Sequence, residues 1–153
     1  MDPDGLKLIK ITYDNGTYLG QYVTKEDGTP AEHGTGLFIW SNGDRYEGEY
    51  VMGARTGLGT FQWADGKIYE GEFEDDRRHG LGKMTWTDGT VYEGDFEDGI
   101  MSGKGKLTWP AGDFYIGWFS KGFMEGYGIH YAADGTKIYE GDWIESCPVD
   151  KTQ

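Results

Sequence analysis

Residues 46–50, "YEGEY", run ring, acid, glycine, acid, ring. A period of two is the pattern of a β-strand, and it sets Tyr46, Gly48 and Tyr50 on one face with Glu47 and Glu49 on the other. A six-residue connector, "VMGART", follows. Then "GLGTFQW" alternates again and places Gly57, Gly59, Phe61 and Trp63 together, opposite Leu58, Thr60 and Gln62. At "ADG", Ala64 to Gly66, the chain turns back, with Gly66 free to take the positive φ of a tight turn. The stretch predicts a β-hairpin.

The same hairpin is then written again and again. Tyr46, Tyr69, Tyr92 and Tyr115 stand 23 residues apart, Tyr139 follows after 24, and Tyr18 precedes Tyr46 by 28. Gly36 and Gly43, Gly59 and Gly66, Gly82 and Gly89, Gly105 and Gly112, and Gly128 and Gly135 are each seven apart. Extra residues fall in "GTKIY" after Gly135 and in "VTKEDGTPAEH" before Gly34, where connectors tolerate them. "LKLIKITY", residues 6–13, reads as one further strand that caps the N-terminal edge, with Lys7 and Lys10 as edge charges. At the other end "EGDWIESCPVDKTQ" supplies a first strand and stops at Pro148.

Glycine weakens a strand interior. The recurrence of Gly48, Gly57 and Gly59 in register therefore predicts that rings from neighbouring strands lie across them. One hairpin is not stable alone, but stacked hairpins share a ring-covered face with their neighbours. The expected fold is all-β: an elongated single-layer antiparallel sheet of stacked β-hairpins. Its expected organisation is a capping strand and turn over 1–17, an array of five units plus a terminal half unit over 18–143, and a tail over 144–153.

Composition agrees with a thin core rich in rings. Of 153 residues 37% are hydrophobic, 16% are aromatic and 27 are glycine. The 14 basic and 27 acidic residues give a formal charge of −13, which repels phosphate backbones and anionic lipid surfaces. Nucleic-acid binding is not expected. The single cysteine, Cys147, allows neither an intramolecular disulfide nor a CxxC metal site and suits a reducing compartment. No apolar run approaches the roughly 18 residues that cross a bilayer, and "MDPDGLKLIKITY" lacks the order of a signal peptide. "NGT" at Asn15 to Thr17 matches a glycosylation acceptor, but it sits between alternating runs and reads as a hairpin turn.

Candidate chemistry is sparse. His33 and His79 occupy one connector position, shared with Thr56, Ser102 and Glu125, and a position that accepts all of these is not a metal ligand. The acid pairs Glu47 with Glu49, Glu70 with Glu72 and Glu93 with Asp95 each lie along one strand face, as a charged outer surface or as docking charges for a basic partner. "GLGTFQ" lacks the third glycine of a dinucleotide loop, and "DGTVYEGDFED" lacks the spacing of a calcium loop. No catalytic residue, cofactor or metal is expected.

The aromatic positions have two readings. Trp40, Trp63, Trp86 and Trp109 with Tyr46, Tyr69, Tyr92 and Tyr115 are the layer that joins hairpins. A single-layer sheet has no second layer to cover both faces, so part of this row is also expected to stay exposed as a groove. Both readings hold for different rings. The expected partner site comprises Tyr46, Trp63, Tyr69, Trp86, Tyr92 and Trp109 with the acids Glu70, Glu72 and Glu93, and the expected partner is a protein segment, a basic amphipathic helix.

The pattern Y-E-G-E/D-aromatic, six-residue connector, G-x-G, aromatic strand and D/N/A-G resembles the MORN repeat from about Tyr13 to Trp143. "YLGQY" at Tyr18 and "YIGWF" at Tyr115 depart from it by losing the acid before the glycine. The resemblance implies a non-enzymatic scaffold or adaptor in a larger assembly, set in the cytoplasm at a cilium, flagellum or other cytoskeletal structure. It also leaves a second possibility, a regulatory or phospholipid-associated subunit acting on an enzyme in trans. With no basic cluster larger than Arg77-Arg78, direct membrane binding is not expected.

Overall fold

A computed structural model describes residues 6–149. Among the described residues there is no helix, and strands joined by tight turns make up the fold. The chain divides into two compact units, one up to Arg77 and one from Arg78.

The first unit contains β1 (Lys7–Tyr13), β2 (Gly16–Thr24), β3 (Pro30–Trp40), β4 (Arg45–Val51), β5 (Ala54–Gln62) and β6 (Ile68–Glu74). Each strand pairs antiparallel with the next. The second contains β7 (Arg77–Thr85) from its second residue on, β8 (Val91–Glu97), β9 (Ile100–Thr108), β10 (Phe114–Ser120), β11 (Phe123–Tyr131), β12 (Lys137–Ile144) and the short β13 (Cys147–Pro148), again each paired with its successor. Every unit is thus an antiparallel sheet of consecutive hairpins. The stretch expected to form an N-terminal strand is β1, and beyond the expected terminal strand β12 the chain adds β13. The array expected over 18–143 runs through both units and the tail expected over 144–153 falls in the second, while residues 1–5 and 150–153 lie outside the described residues.

Register explains the faces. Tyr46 opposes Phe61 and Gly48 opposes Gly59, so the alternation puts rings and bare glycines together, and the β4 burial follows it with Tyr46 and Tyr50 buried between exposed acids. The Tyr46 ring lies over Gly59: a β-carbon there would stand 2.5 Å from Tyr46 Cε2. Tyr18 covers Gly36, Tyr92 covers Gly105 and Tyr115 covers Gly128 in the same way. Gly57 departs from the expected role. Its φ is +98° and the group beside it is the Glu49 carboxylate, so this glycine serves the backbone rather than a ring.

Tyrosine, rather than phenylalanine, suits the seat because of a bulge. Register slips between Gly48 and Tyr50, which leaves the Glu49 carbonyl outside the ladder, and the Tyr46 hydroxyl donates to it at 2.8 Å. Tyr18, Tyr92 and Tyr115 donate to the carbonyls of Gln21, Asp95 and Trp118 at 2.6, 2.7 and 2.9 Å. A buried phenol thus keeps both its own oxygen and a freed carbonyl satisfied.

Candidate functional site

The core rings interlock edge to face. In the first unit Tyr18 meets Tyr50 at 5.2 Å, Tyr46 meets Tyr50 at 5.2 Å, and Phe73 meets both Tyr46 and Tyr69 at 5.1 Å. The second unit repeats this with Tyr92 between Phe96 and Phe119 at 5.1 and 5.0 Å. These contacts sit in the preferred range for aromatic pairs and leave no solvent path. Tyr18, Tyr46, Tyr69, Tyr92 and Tyr115 are each 0% exposed.

Burial sets their chemistry. It pushes the Tyr46 phenol up to about 12, with Arg55 opposing and Glu49 adding to the rise, and it pushes Tyr115 up to about 12 against its hydrogen bond to the Trp118 carbonyl. These phenols stay neutral at any physiological pH.

The tryptophans behave differently. Trp40, Trp63, Trp86 and Trp109 are only half-buried, each at the mouth of a turn closed by its own backbone. In the first unit they extend the ring row: Phe38 to Trp40 is 4.4 Å, Trp40 to Phe61 5.3 Å and Phe61 to Trp63 4.5 Å. In the second, Trp109 lies 5.2 Å from His130, whose Nε2 is 2.8 Å from Asp113 Oδ2. Trp86 follows Met84, the residue opposite Tyr92.

The site residues expected from sequence therefore separate. Tyr46, Tyr69 and Tyr92 are buried floor, while Trp63, Trp86 and Trp109 present part of their indoles. Glu70, Glu72 and Glu93 are exposed. They neighbour Tyr69 and Tyr92 in strands that alternate, so they stand on the opposite face from the rings. A segment lying on the rings does not touch these acids.

Sequence reasoning missed two features. On β10 and β11 the face opposite the core rings carries Ile116, Trp118 and Tyr127, which are 46%, 47% and 49% exposed. Lys104 Nζ lies 5.6 Å from the Trp118 ring. The signal was the lost acid of "YIGWF". The other feature is Arg55, whose guanidinium carbon lies 5.4–5.7 Å from the rings of Trp40, Tyr46, Phe61 and Phe73 while its Nε pairs with Asp76 at 3.1 Å. No alternation or spacing marks that contact. Among the described residues no group of three or more His, Cys, Asp or Glu is placed to hold a metal ion.

Successive hairpins of similar length, in which Tyr18, Tyr46, Tyr92 and Tyr115 each lie over a glycine of the next strand, define the protein as a tandem β-hairpin repeat. The MORN repeat matches at residues 31–45, 46–68, 69–91, 92–114 and 115–137, more than half of the sequence, and the chain belongs to the MORN-repeat family. Comparison with curated proteins gave no match. Among solved structures, the chain is similar to the TCP domain of SAS-4 (dCPAP) of Drosophila melanogaster, in complex with a proline-rich motif of Ana2 (dSTIL). Identity there is 15%, coverage is 85% of this chain and 75% of that one, and the TM-score is 0.47. A point mutant of the TCP10 domain of Danio rerio CPAP is similar at 15% identity, over 92% of this chain and 69% of that one, with a TM-score of 0.37.

Proposed function

We propose that the protein is a non-enzymatic scaffold or adaptor whose aromatic face takes a basic amphipathic segment of a partner protein. One observation carries this reading: within each row the tyrosines are sealed and the tryptophans are left half-open at the turns. A row of part-exposed indoles on a rigid floor is the arrangement that buries a helix's apolar side at small entropic cost. The second unit offers Trp86 and Trp109 with Tyr92 as floor, and the first offers Trp63 with Tyr46 and Tyr69. The charge of −13 steers a basic segment toward the protein. Membership of the MORN-repeat family supports a setting in a ciliary, flagellar or other cytoskeletal assembly of the cytoplasm.

Proximity labelling in the native cell identifies the partner, and surface plasmon resonance then tests the face. Trp86→Ala is expected to cost about 2 kcal/mol or more, seen as a dissociation rate raised roughly thirtyfold. Replacing Glu70, Glu72 and Glu93 by Gln is expected to slow association and flatten its salt dependence while leaving dissociation unchanged, because these acids act only through the field. A folded Trp86→Ala variant that binds like the native protein removes the indole row as the site.

A further inference from the structure

One backbone hydrogen bond recurs in every repeat and puts five residues in the same place. The carbonyls of Glu32, Arg55, Arg78, Met101 and Met124 accept from the amides of Gly53, Asp76, Gly99, Gly122 and Ser146. Cross-strand register says the same, since Tyr22 opposes Glu32 as Tyr50 opposes Arg55, Phe96 opposes Met101 and Phe119 opposes Met124. At this position later repeats fill an aromatic seat from within. Arg55 does so against four rings with Asp76 as its counterion, Arg78 lies 5.5 Å from the Phe96 ring and donates to the Gly99 carbonyl at 2.7 Å, and Met124 is buried.

The first repeat keeps the walls and reverses the charge. Glu32 stands where Arg55 stands one repeat later, and Gly53 stands where Asp76 does. The rings are still present: Tyr13 stacks on Phe38 at 5.9 Å, and Tyr50 closes the other side. A cleft of about 390 Å³ remains, lined by Tyr13, Glu32, Phe38, Trp40, Tyr50 and Arg55 among others. Glu32 Oε1 accepts the Tyr13 hydroxyl at 2.5 Å, and among the described residues no Lys, Arg or His pairs with it. Its charge is felt by nearby phenols: after burial, Glu32 is the next cause of the raised phenol pKa at Tyr13 and at Tyr18, and it is a lesser one at Tyr50.

We propose that the first-repeat cleft is a receptor for one arginine side chain of a partner protein, its guanidinium lying against Tyr13, Phe38 and Tyr50 and pairing with Glu32. The protein itself shows the chemistry, because one repeat later Arg55 lies against the corresponding rings and pairs with the Asp76 carboxylate, whereas in the first repeat the carboxylate is that of Glu32 at the arginine's own position. A planar guanidinium stacks on ring faces and pairs with a carboxylate at once, which a compact ammonium does less well. The seat gives a basic partner one fixed point of register. This proposal rests on the docking of a basic segment described above.

The test needs no known partner. The blocked tripeptide acetyl-Gly-Arg-Gly-amide, titrated into the full chain and followed by NMR, is expected to shift the Trp40 indole and Tyr13 signals saturably in the millimolar range. The citrulline analogue, equal in shape and uncharged, is expected to bind about three- to tenfold more weakly, and Glu32→Gln to lose about as much. Glu32→Arg places a guanidinium in the seat from within and is expected to abolish the shifts while keeping the fold's spectrum and thermal midpoint. Equal shifts from the arginine and citrulline peptides, unchanged binding by Glu32→Arg, or shifts centred away from Trp40 and Tyr13 each overturn the proposal. If these shifts appear while Trp86→Ala leaves partner binding intact, the seat stands and the indole row falls; the reverse result removes the seat alone.

Discussion

At Gly59 a β-carbon would stand 2.5 Å from Cε2 and from the hydroxyl oxygen of Tyr46, a ring whose hydroxyl is tied to the Glu49 carbonyl and which cannot lift without breaking that bond. Overpacking of this kind costs about 1–3 kcal/mol. Gly59→Val is therefore expected to lower the urea midpoint clearly. Thr60→Val, on the next residue but on the exposed face, is expected to leave the midpoint almost unchanged. Equal midpoints for the two variants would end the account of glycine as a ring seat. The seat at Gly59 was legible in sequence because period two and the repeat put a bare position in line with rings. Gly57 was not, because its left-handed φ is set by how the strand bends toward Glu49.

At the scale of the element, the turns are held by one repeated device. Asp27, Asp88 and Asp134 each accept a hydrogen bond from the backbone amide two residues on, at 2.9, 2.8 and 2.9 Å, and the threonine there holds all three carboxyls below their usual value, through its hydroxyl first and its amide second at Asp27 and Asp134 and through its amide first and its hydroxyl second at Asp88. Since the folded pKa is depressed, the turns' contribution is complete above the free value of 3.8 and is lost as pH falls through the lowered folded value. Asn42 performs the same bond to Asp44 at 2.9 Å without a titrating group. Asp88→Asn is therefore expected to keep the turn and to reduce the acid-limb slope of stability, measured as urea midpoints at a series of pH values below 5. An unchanged slope would show that the Asp88 charge plays no part.

Across the whole molecule the buried phenols form the larger titrating set. Tyr46 and Tyr115 are pushed up to about 12, and burial raises Tyr18, Tyr50 and Tyr92 further. A phenol that resists ionisation in the folded state favours folding fully below its free value of 10.0, and that contribution fades as pH rises through the folded values. The protein is expected to stay stable to about pH 10 and then weaken. Tyrosinate absorbance should rise in two parts, first the exposed phenols and then the buried set together with loss of β circular dichroism. Ionisation of all tyrosines near pH 10 with the fold intact would contradict the sealed core. What the sequence by itself determined is everything local in origin: strands from alternation, turns from Asp-Gly pairs, the repeat from the spacing of Tyr and Gly, and so the family. Alternation also sets Glu70, Glu72 and Glu93 on the face away from the rings, whereas only the tertiary structure decided which rings are sealed and which are open, and that Glu32 stands in Arg55's place. Exposure depends on what neighbouring strands set beside a ring, and cross-strand equivalence between connectors of different length is fixed by hydrogen bonds such as Gly53 to Glu32, which leave no trace in periodicity.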